Sequence, residues 1–251
     1  MSIRIGSFLF SLRGIIPVFI LALGFIADYF GFGKISTVII GDLDQWIWFL
    51  LPIAFLGEGF RVYTVGYSPK GTSGRNKAEQ VADELVTTGL YSVTRNPLYF
   101  GNLLIWLSVI LLFQNWFLLI FFLFFFRWFY RAIIRAESQF LREKYGQVYL
   151  QWSKYTPVFF PSWSKFKPGS RSFNWYKVAR KEKNGFAAIL LVFPLIRAVR
   201  LYFDGKLTFT SSLDRLWLMI GLMGVAGYVI IKLIMRLTNW LDNPPNRNFN
   251  L

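Results

Sequence analysis

Neither cysteine nor histidine occurs in the 251 residues. The first absence excludes a disulfide, a zinc thiolate and a thiol nucleophile; the second removes the commonest general base and metal ligand. Acidic residues are scarce as well, with 13 Asp and Glu against 28 Lys and Arg, and no clustered Asp or Glu spacing suggests an oxygen-ligated metal. No metal site is expected. A glycine-rich strand-to-helix turn is missing, which excludes a soluble-type dinucleotide or phosphate cradle.

What is present is apolar surface. Hydrophobic residues make up 55% of the chain and aromatic residues 20%, too much for an ordinary soluble domain. A spanning helix needs about 20 mostly apolar residues. Windows of this kind run over residues 14–30, 45–60, 99–113, 116–134, 185–202 and 213–234. The expectation is an all-α, polytopic membrane bundle of about six transmembrane helices. Arg4 and Arg13 precede the first window without a small-residue cleavage site, so that window reads as a retained span.

The net charge of +15 is unevenly spread. Between Arg127 and Lys183 there are thirteen Lys or Arg against three Glu, which marks this segment as cytoplasmic and close to anionic membrane lipids. Six spans with both termini inside place the loops 61–98 and 135–184 in the cytoplasm. Arg197 and Arg200 fit this topology poorly, because they lie toward the outer end of the fifth span. Nucleic acid is not an expected partner, since no soluble groove-reading element accompanies the basic residues.

Residues 66–77, "GYSPKGTSGRNK", are rich in turn formers and read as a loop, and "AEQVADELV" as a short amphipathic helix. "PSWSKFKPGSRSF" reads as a second mobile connection, dividing the N-terminal spans (1–66) and a motif-bearing core (67–161) from a C-terminal pair of spans (162–251). In the last span Gly221, Gly224 and Gly227 recur at helical spacing, a smooth face for close helix packing.

The chemistry concentrates in "SVTRNPLYFGN". Asn96 suits the cap of a helix whose first residue is Pro97, its side-chain oxygen accepting an otherwise orphaned N–H, and Arg95 can snorkel to the interface. Tyr91, Arg95, Asn96 and Tyr99 then line one polar opening. The next two spans are joined by so few residues that they form a tight antiparallel hairpin, which returns Arg127, Arg131, Arg135 and Glu137 to the level of Arg95. On that helix Arg127, Tyr130, Ile134, Glu137 and Leu141 share a stripe, whereas Arg131, Arg135, Ser138 and Arg142 form another. A carboxylate among arginines at a bilayer edge is a functional candidate.

"GLYSVTRNPLYFGN" followed by "ESQFLREKYGQVYLQWSKYTPVFFP" resembles the superfamily of integral membrane methyltransferases that contains the isoprenylcysteine carboxyl methyltransferases and the phospholipid methyltransferases. The resemblance covers about residues 89–161. Gly89, Tyr91, Arg95, Pro97, Tyr99 and Gly101 fall on its first motif; Glu137, Leu141, Tyr145, Gly146, Tyr149 and Tyr155 follow its second. Asn96 stands where the family usually has histidine, and Ser138 where it usually has a second glutamate.

The resemblance implies S-adenosylmethionine as cofactor, held at the cytoplasmic ends of the helices by Tyr91, Arg95, Asn96, Pro97, Tyr99 and Glu137. It also implies a lipid or lipidated acceptor entering from the membrane. Methyl transfer is an in-line displacement that needs no histidine, and an acceptor that is already an anion attacks without losing a proton. The surplus of arginine therefore tilts the reading toward a prenylcysteine carboxylate or a lipid or glycolipid phosphate, oriented by Arg127, Arg131 or Arg135, with Glu137 as the fourth catalytic candidate. Three alternatives stand beside it: an amine N-methyltransferase of phosphatidylethanolamine type, an NADPH-dependent reductase of similar architecture, and an inactive membrane scaffold. A transporter is disfavoured by the lack of a repeat, of a broken helix pair and of a midspan ionisable residue.

Overall fold

A computed structural model of the chain describes residues 16–33, 42–69, 84–169, 171–208 and 210–238. The described residues form α1 (Ile16–Tyr29), α2 (Leu43–Tyr67), the single turn α3 (Leu90–Val93), α4 (Pro97–Leu112), α5 (Trp116–Tyr155), a 3₁₀ turn at Trp163–Lys165, α6 (Trp175–Phe203) and α7 (Ser212–Leu237). Four of them, α2, α5, α6 and α7, are long and apolar enough to cross a membrane; α1 and α4 are shorter apolar helices. Each of the six apolar windows thus falls on a helix, and the protein is a helical membrane bundle.

Burial follows the same logic. Ile20, Leu50, Ile110, Phe122, Phe193 and Trp217 meet in one core contributed by all six long helices. The outward faces remain apolar, as Phe124 on α5 and Leu222 and Met223 on α7 show, because their solvent is lipid rather than water.

Helix lengths shape the motif-bearing end. α4 has 16 residues, about 24 Å at 1.5 Å per residue, less than a hydrocarbon layer of about 30 Å. α5 has 40 residues, so its second half continues past the membrane, bending at Gly146, whose φ of 52° is accessible to glycine. Between α4 and α5, Gln114 takes a φ of 48° and Asn115 caps α5 by accepting from the Leu118 amide at 3.0 Å. This is the expected tight hairpin.

α2 and α4 cross closely at two glycines. A Cβ on Gly57 would stand 2.6 Å from the Gly101 carbonyl oxygen, and one on Gly101 the same distance from that of Gly57. In α7 the packing face is shorter than the glycine spacing suggests: Gly224 abuts Leu190 and Gly221 meets Pro194, but Gly227 faces open space.

The stretch "PSWSKFKPGSRSF", expected to be a mobile connection, is docked. The Ser162 amide donates to Val93 O at 2.9 Å, the Lys167 amide to Ser92 Oγ at 2.9 Å, and the Gly89 amide to Lys167 O at 2.7 Å. Its amides find acceptors on the motif-bearing turn, which local composition does not reveal. Residues 70–83, which hold most of the expected loop and short helix, lie outside the described residues, and Glu84–Val86 are not helical. Gly14 and Ile15 of the first window also lie outside them.

Arg197 and Arg200, the misfits of the topology, are buried rather than facing the outer surface. Arg197 donates to Asp44 at 2.5 Å and to Asp214 at 2.7 Å. Arg200 donates to Leu112 O at 2.7 Å and Gln114 Oε1 at 2.9 Å, and its Nε lies 3.4 Å from Asp28. One cluster thereby joins α1, α2, the hairpin turn, α6 and α7. Ionisable groups also lie inside α2, where Arg61 pairs with Glu58 of the same helix and with Glu182 of α6, so the expectation of no midspan charge does not hold.

Candidate functional site

The opening stretch builds a short turn, α3, and then the start of α4. Asn96 and Pro97 do occupy the cap and first-turn positions, but the Asn96 side chain makes no cap hydrogen bond. Its Nδ2 instead donates to Val158 O at 2.7 Å, while the Asn96 carbonyl accepts from the Tyr99 and Phe100 amides at 3.1 Å. The expected role fails because the returning chain offers a better acceptor than α4 offers a donor.

That returning chain is "TPVFFPS", which crosses the start of α4. The Arg95 amide donates to Pro157 O at 2.8 Å, Thr94 Oγ1 to Phe159 O at 2.8 Å, and Trp152 Nε1 to Tyr91 O at 3.2 Å. The two halves of the sequence motif are thus fastened to each other by hydrogen bonds to main-chain carbonyls. Their specificity comes from side chains. Tyr99 Oη donates to Glu137 Oε1 at 2.6 Å, joining α4 to α5 at the motif-bearing end. This short, charge-assisted bond orients the carboxylate.

Tyr91 stands near the same carboxylate. Burial pushes the Tyr91 phenol above its ordinary range, and the negative charge of Glu137 pushes the same way, so it remains a neutral hydroxyl. Arg95 is half-buried, and its Nε is enclosed with no hydrogen-bond acceptor among the described residues. An enclosed guanidinium N–H without an acceptor is costly unless a ligand supplies one. Tyr91, Tyr99, Glu137 and Arg95 therefore combine two aromatic faces, an oriented carboxylate and an unsatisfied cationic donor at one end of the bundle.

The other arginines are elsewhere. Tyr130, Ile134, Glu137 and Leu141 lie on the inward side of α5, as their shared stripe suggests, but Arg127, Arg131 and Arg135 are all exposed on its outer side. Arg127 leaves its stripe because a long side chain at a helix margin reaches solvent at little cost. Glu137 is brought together with Tyr99.

Residues not singled out in the sequence complete the surroundings. Tyr130 packs its ring on Tyr99, with centroids 4.8 Å apart, and accepts a hydrogen bond from Asn102 Nδ2 at 2.9 Å. Asn102 Oδ1 accepts from Arg61 Nη1 at 2.6 Å, and Arg61 is held by Glu182. The shared stripe of Tyr130 with Glu137 is a legible signal. Arg61 and Glu182 lie 121 positions apart, and only the signature of polar residues bordering apolar runs hints at them.

No curated protein and no solved structure matches the chain. Residues 69–148 match a family model described as phospholipid methyltransferase, a segment that includes the whole first motif and Glu137 and ends before Tyr149. Through this segment the chain is matched to the phospholipid methyltransferase family, within the membrane methyltransferase superfamily that its two motifs resemble.

Proposed function

We propose that the protein transfers a methyl group from S-adenosylmethionine to an anionic oxygen of a lipid-like acceptor, a prenylcysteine carboxylate or a lipid or glycolipid phosphate. The observation that carries this reading is the Tyr99–Glu137 hydrogen bond, which joins the two halves of the motif; we read these residues, with Tyr91 and Arg95, as one polar recess. Bound there, S-adenosylmethionine supplies an electrophilic methyl on a sulfonium. The residues fit it: Tyr91 and Tyr99 offer aromatic faces to the cation, Glu137 a carboxylate to its amine, and the Arg95 Nε donor suits its carboxylate. Asn96 and Pro97 shape the wall of the recess.

The protein's contribution is positioning and exclusion of water. Glu137, oriented by Tyr99, would hold the amine of the methyl donor and so fix the direction of its methyl, and "TPVFFPS", which crosses the start of α4, would limit the access of water. Arg127, Arg131 and Arg135, exposed on α5, draw an anionic acceptor to the membrane surface beside the recess. The excess of Lys and Arg in this part of the chain supports a cytoplasmic position for this end.

N-methylation of a phosphatidylethanolamine-type amine is the second reading. It is favoured by the placement of Glu137 at the mouth, where a carboxylate can take the ammonium proton, and by the outward position of the three arginines.

The test is calorimetry of the detergent-purified protein with S-adenosylmethionine, NADPH as control, followed by transfer of labelled methyl to anionic and amine lipids. Saturable binding with label on an anionic lipid upholds the first reading, and label on the amine alone selects the second. Binding of NADPH alone, or of neither, overturns both. Glu137→Gln is expected to lower turnover by about a hundredfold or more.

A further inference from the structure

From the Tyr99–Glu137 pair a run of partly buried polar side chains leads to a buried carboxylate on a helix outside the family match. Glu182, on α6, is 1% exposed. Its Oε2 accepts from Arg61 Nε at 3.0 Å and Arg61 Nη2 at 2.7 Å. Arg61 Nη1 then donates to Asn102 Oδ1 at 2.6 Å, Asn102 Nδ2 donates to Tyr130 Oη at 2.9 Å, and the Tyr130 ring rests on that of Tyr99. α6, α2, α4 and α5 are crossed in turn.

The packing is built around this path. A Cβ on Gly101 would stand 2.9 Å from Arg61 Cγ, so the glycine of the first motif leaves the corridor through which Arg61 reaches Asn102. A Cβ on Gly185 would collide with the carboxylate of Glu58, which lies 3.6 Å from Arg61 Nε. Burying a guanidinium with carboxylates among membrane helices is a poor way to gain stability, since apolar residues of similar volume often do as well or better. What the arrangement does provide is direction. A planar fork held on one side fixes the donor it presents on the other.

We infer that Arg61, clamped by Glu182, is a positioning residue for the Tyr99–Glu137 pair, acting through Asn102 and Tyr130, and that α6 is thereby part of the methyl-transfer unit rather than an appended span. The catalytic part of this inference rests on the proposed function.

The experiment uses the full chain in lipid nanodiscs with 3-fluorotyrosine genetically encoded at position 99. Fluorine spectra of the ligand-free protein are compared for the parent, Glu182→Gln, Asn102→Leu and Gly227→Ala, the last a control in open space on α7. The resonance is expected to move or split in the first two variants and to stay in the control. In untagged protein, kcat should fall about 10- to 100-fold in both with an unchanged KM for S-adenosylmethionine. Asn102→Asp, which keeps an oxygen for Arg61 and offers another to the Tyr130 hydroxyl, should recover most of kcat. Asn102→Leu leaves the Arg61–Glu182 pair intact, so it serves even if Glu182→Gln does not fold.

A resonance unmoved in folded variants overturns the inference, as does one that moves while kcat holds. If the parent binds no S-adenosylmethionine, the proposed function falls, and the fluorine result still decides whether α6 positions Tyr99.

Discussion

Arginine and carboxylate meet at both ends of the bundle, with opposite outcomes. At the end away from the motif, Arg197 has Nε, Nη1 and Nη2 all donating to Asp44 or Asp214, and both arginines there are at least 96% buried, with exposures of 4% and 3%. At the motif-bearing end, Arg95 is half-buried with an enclosed donor that has no acceptor among the described residues, and Glu137 accepts from the Tyr99 hydroxyl. The first arrangement spends the guanidinium nitrogens of Arg197 on two carboxylates and joins helices. The second keeps capacity in reserve at an opening, as a binding site requires.

The largest expected effect breaks the first arrangement. Arg197→Leu strands Asp44 and Asp214, so the bundle should lose about 3–5 kcal/mol. Chemical unfolding in mixed micelles measures this, and an unchanged midpoint would mean that the cluster is not a clamp.

Arg95→Ala is the counterpart. Because its side chain lacks an acceptor for Nε, folding stability should change by less than about 1 kcal/mol while S-adenosylmethionine binding weakens by about tenfold or more. Calorimetry and thermal unfolding on the same sample separate the two. A large stability loss with intact binding would make Arg95 structural, like Arg197.

Gly101→Ala probes where the two roles meet. The added methyl presses on the Gly57 carbonyl and on Arg61 together, so an overpacking loss of about 1–3 kcal/mol is expected. Turnover should drop with it. Gly57→Ala should give a similar stability loss from the other side of the crossing.

The smallest effect concerns Tyr91. Its proton is held more tightly in the folded protein than in the unfolded chain, so the stability it contributes is fully present below the unfolded value of about 10 and is lost as pH rises through the higher folded value. Tyr91→Phe should blunt the alkaline loss of stability. An identical alkaline profile would show that Tyr91 is not shielded beside Glu137.

Much of the site is legible because it is local. Pro97 at the start of α4 and the position of Glu137 one hairpin away both follow from short-range spacing and helix length. The partner of Asn96 is not local. Its side chain lies 62 positions from Val158, and no pattern near Asn96 distinguishes a cap from a bond to a returning strand. Arg127, Arg131 and Arg135 illustrate a different limit: periodicity assigns residues to stripes, but the neighbouring helices decide which stripe is inside.

The amino-acid sequence by itself determined that the protein is a helical membrane bundle, where its six apolar segments lie, and that two motifs resembling those of membrane methyltransferases return to one end. Those properties depend on composition and on periods of a few residues. The tertiary structure alone decided which charges are satisfied by one another and which retain hydrogen-bonding capacity. A buried guanidinium finds its acceptor across helices such as α2 and α6, and two helices reveal which side chains they share only when packed.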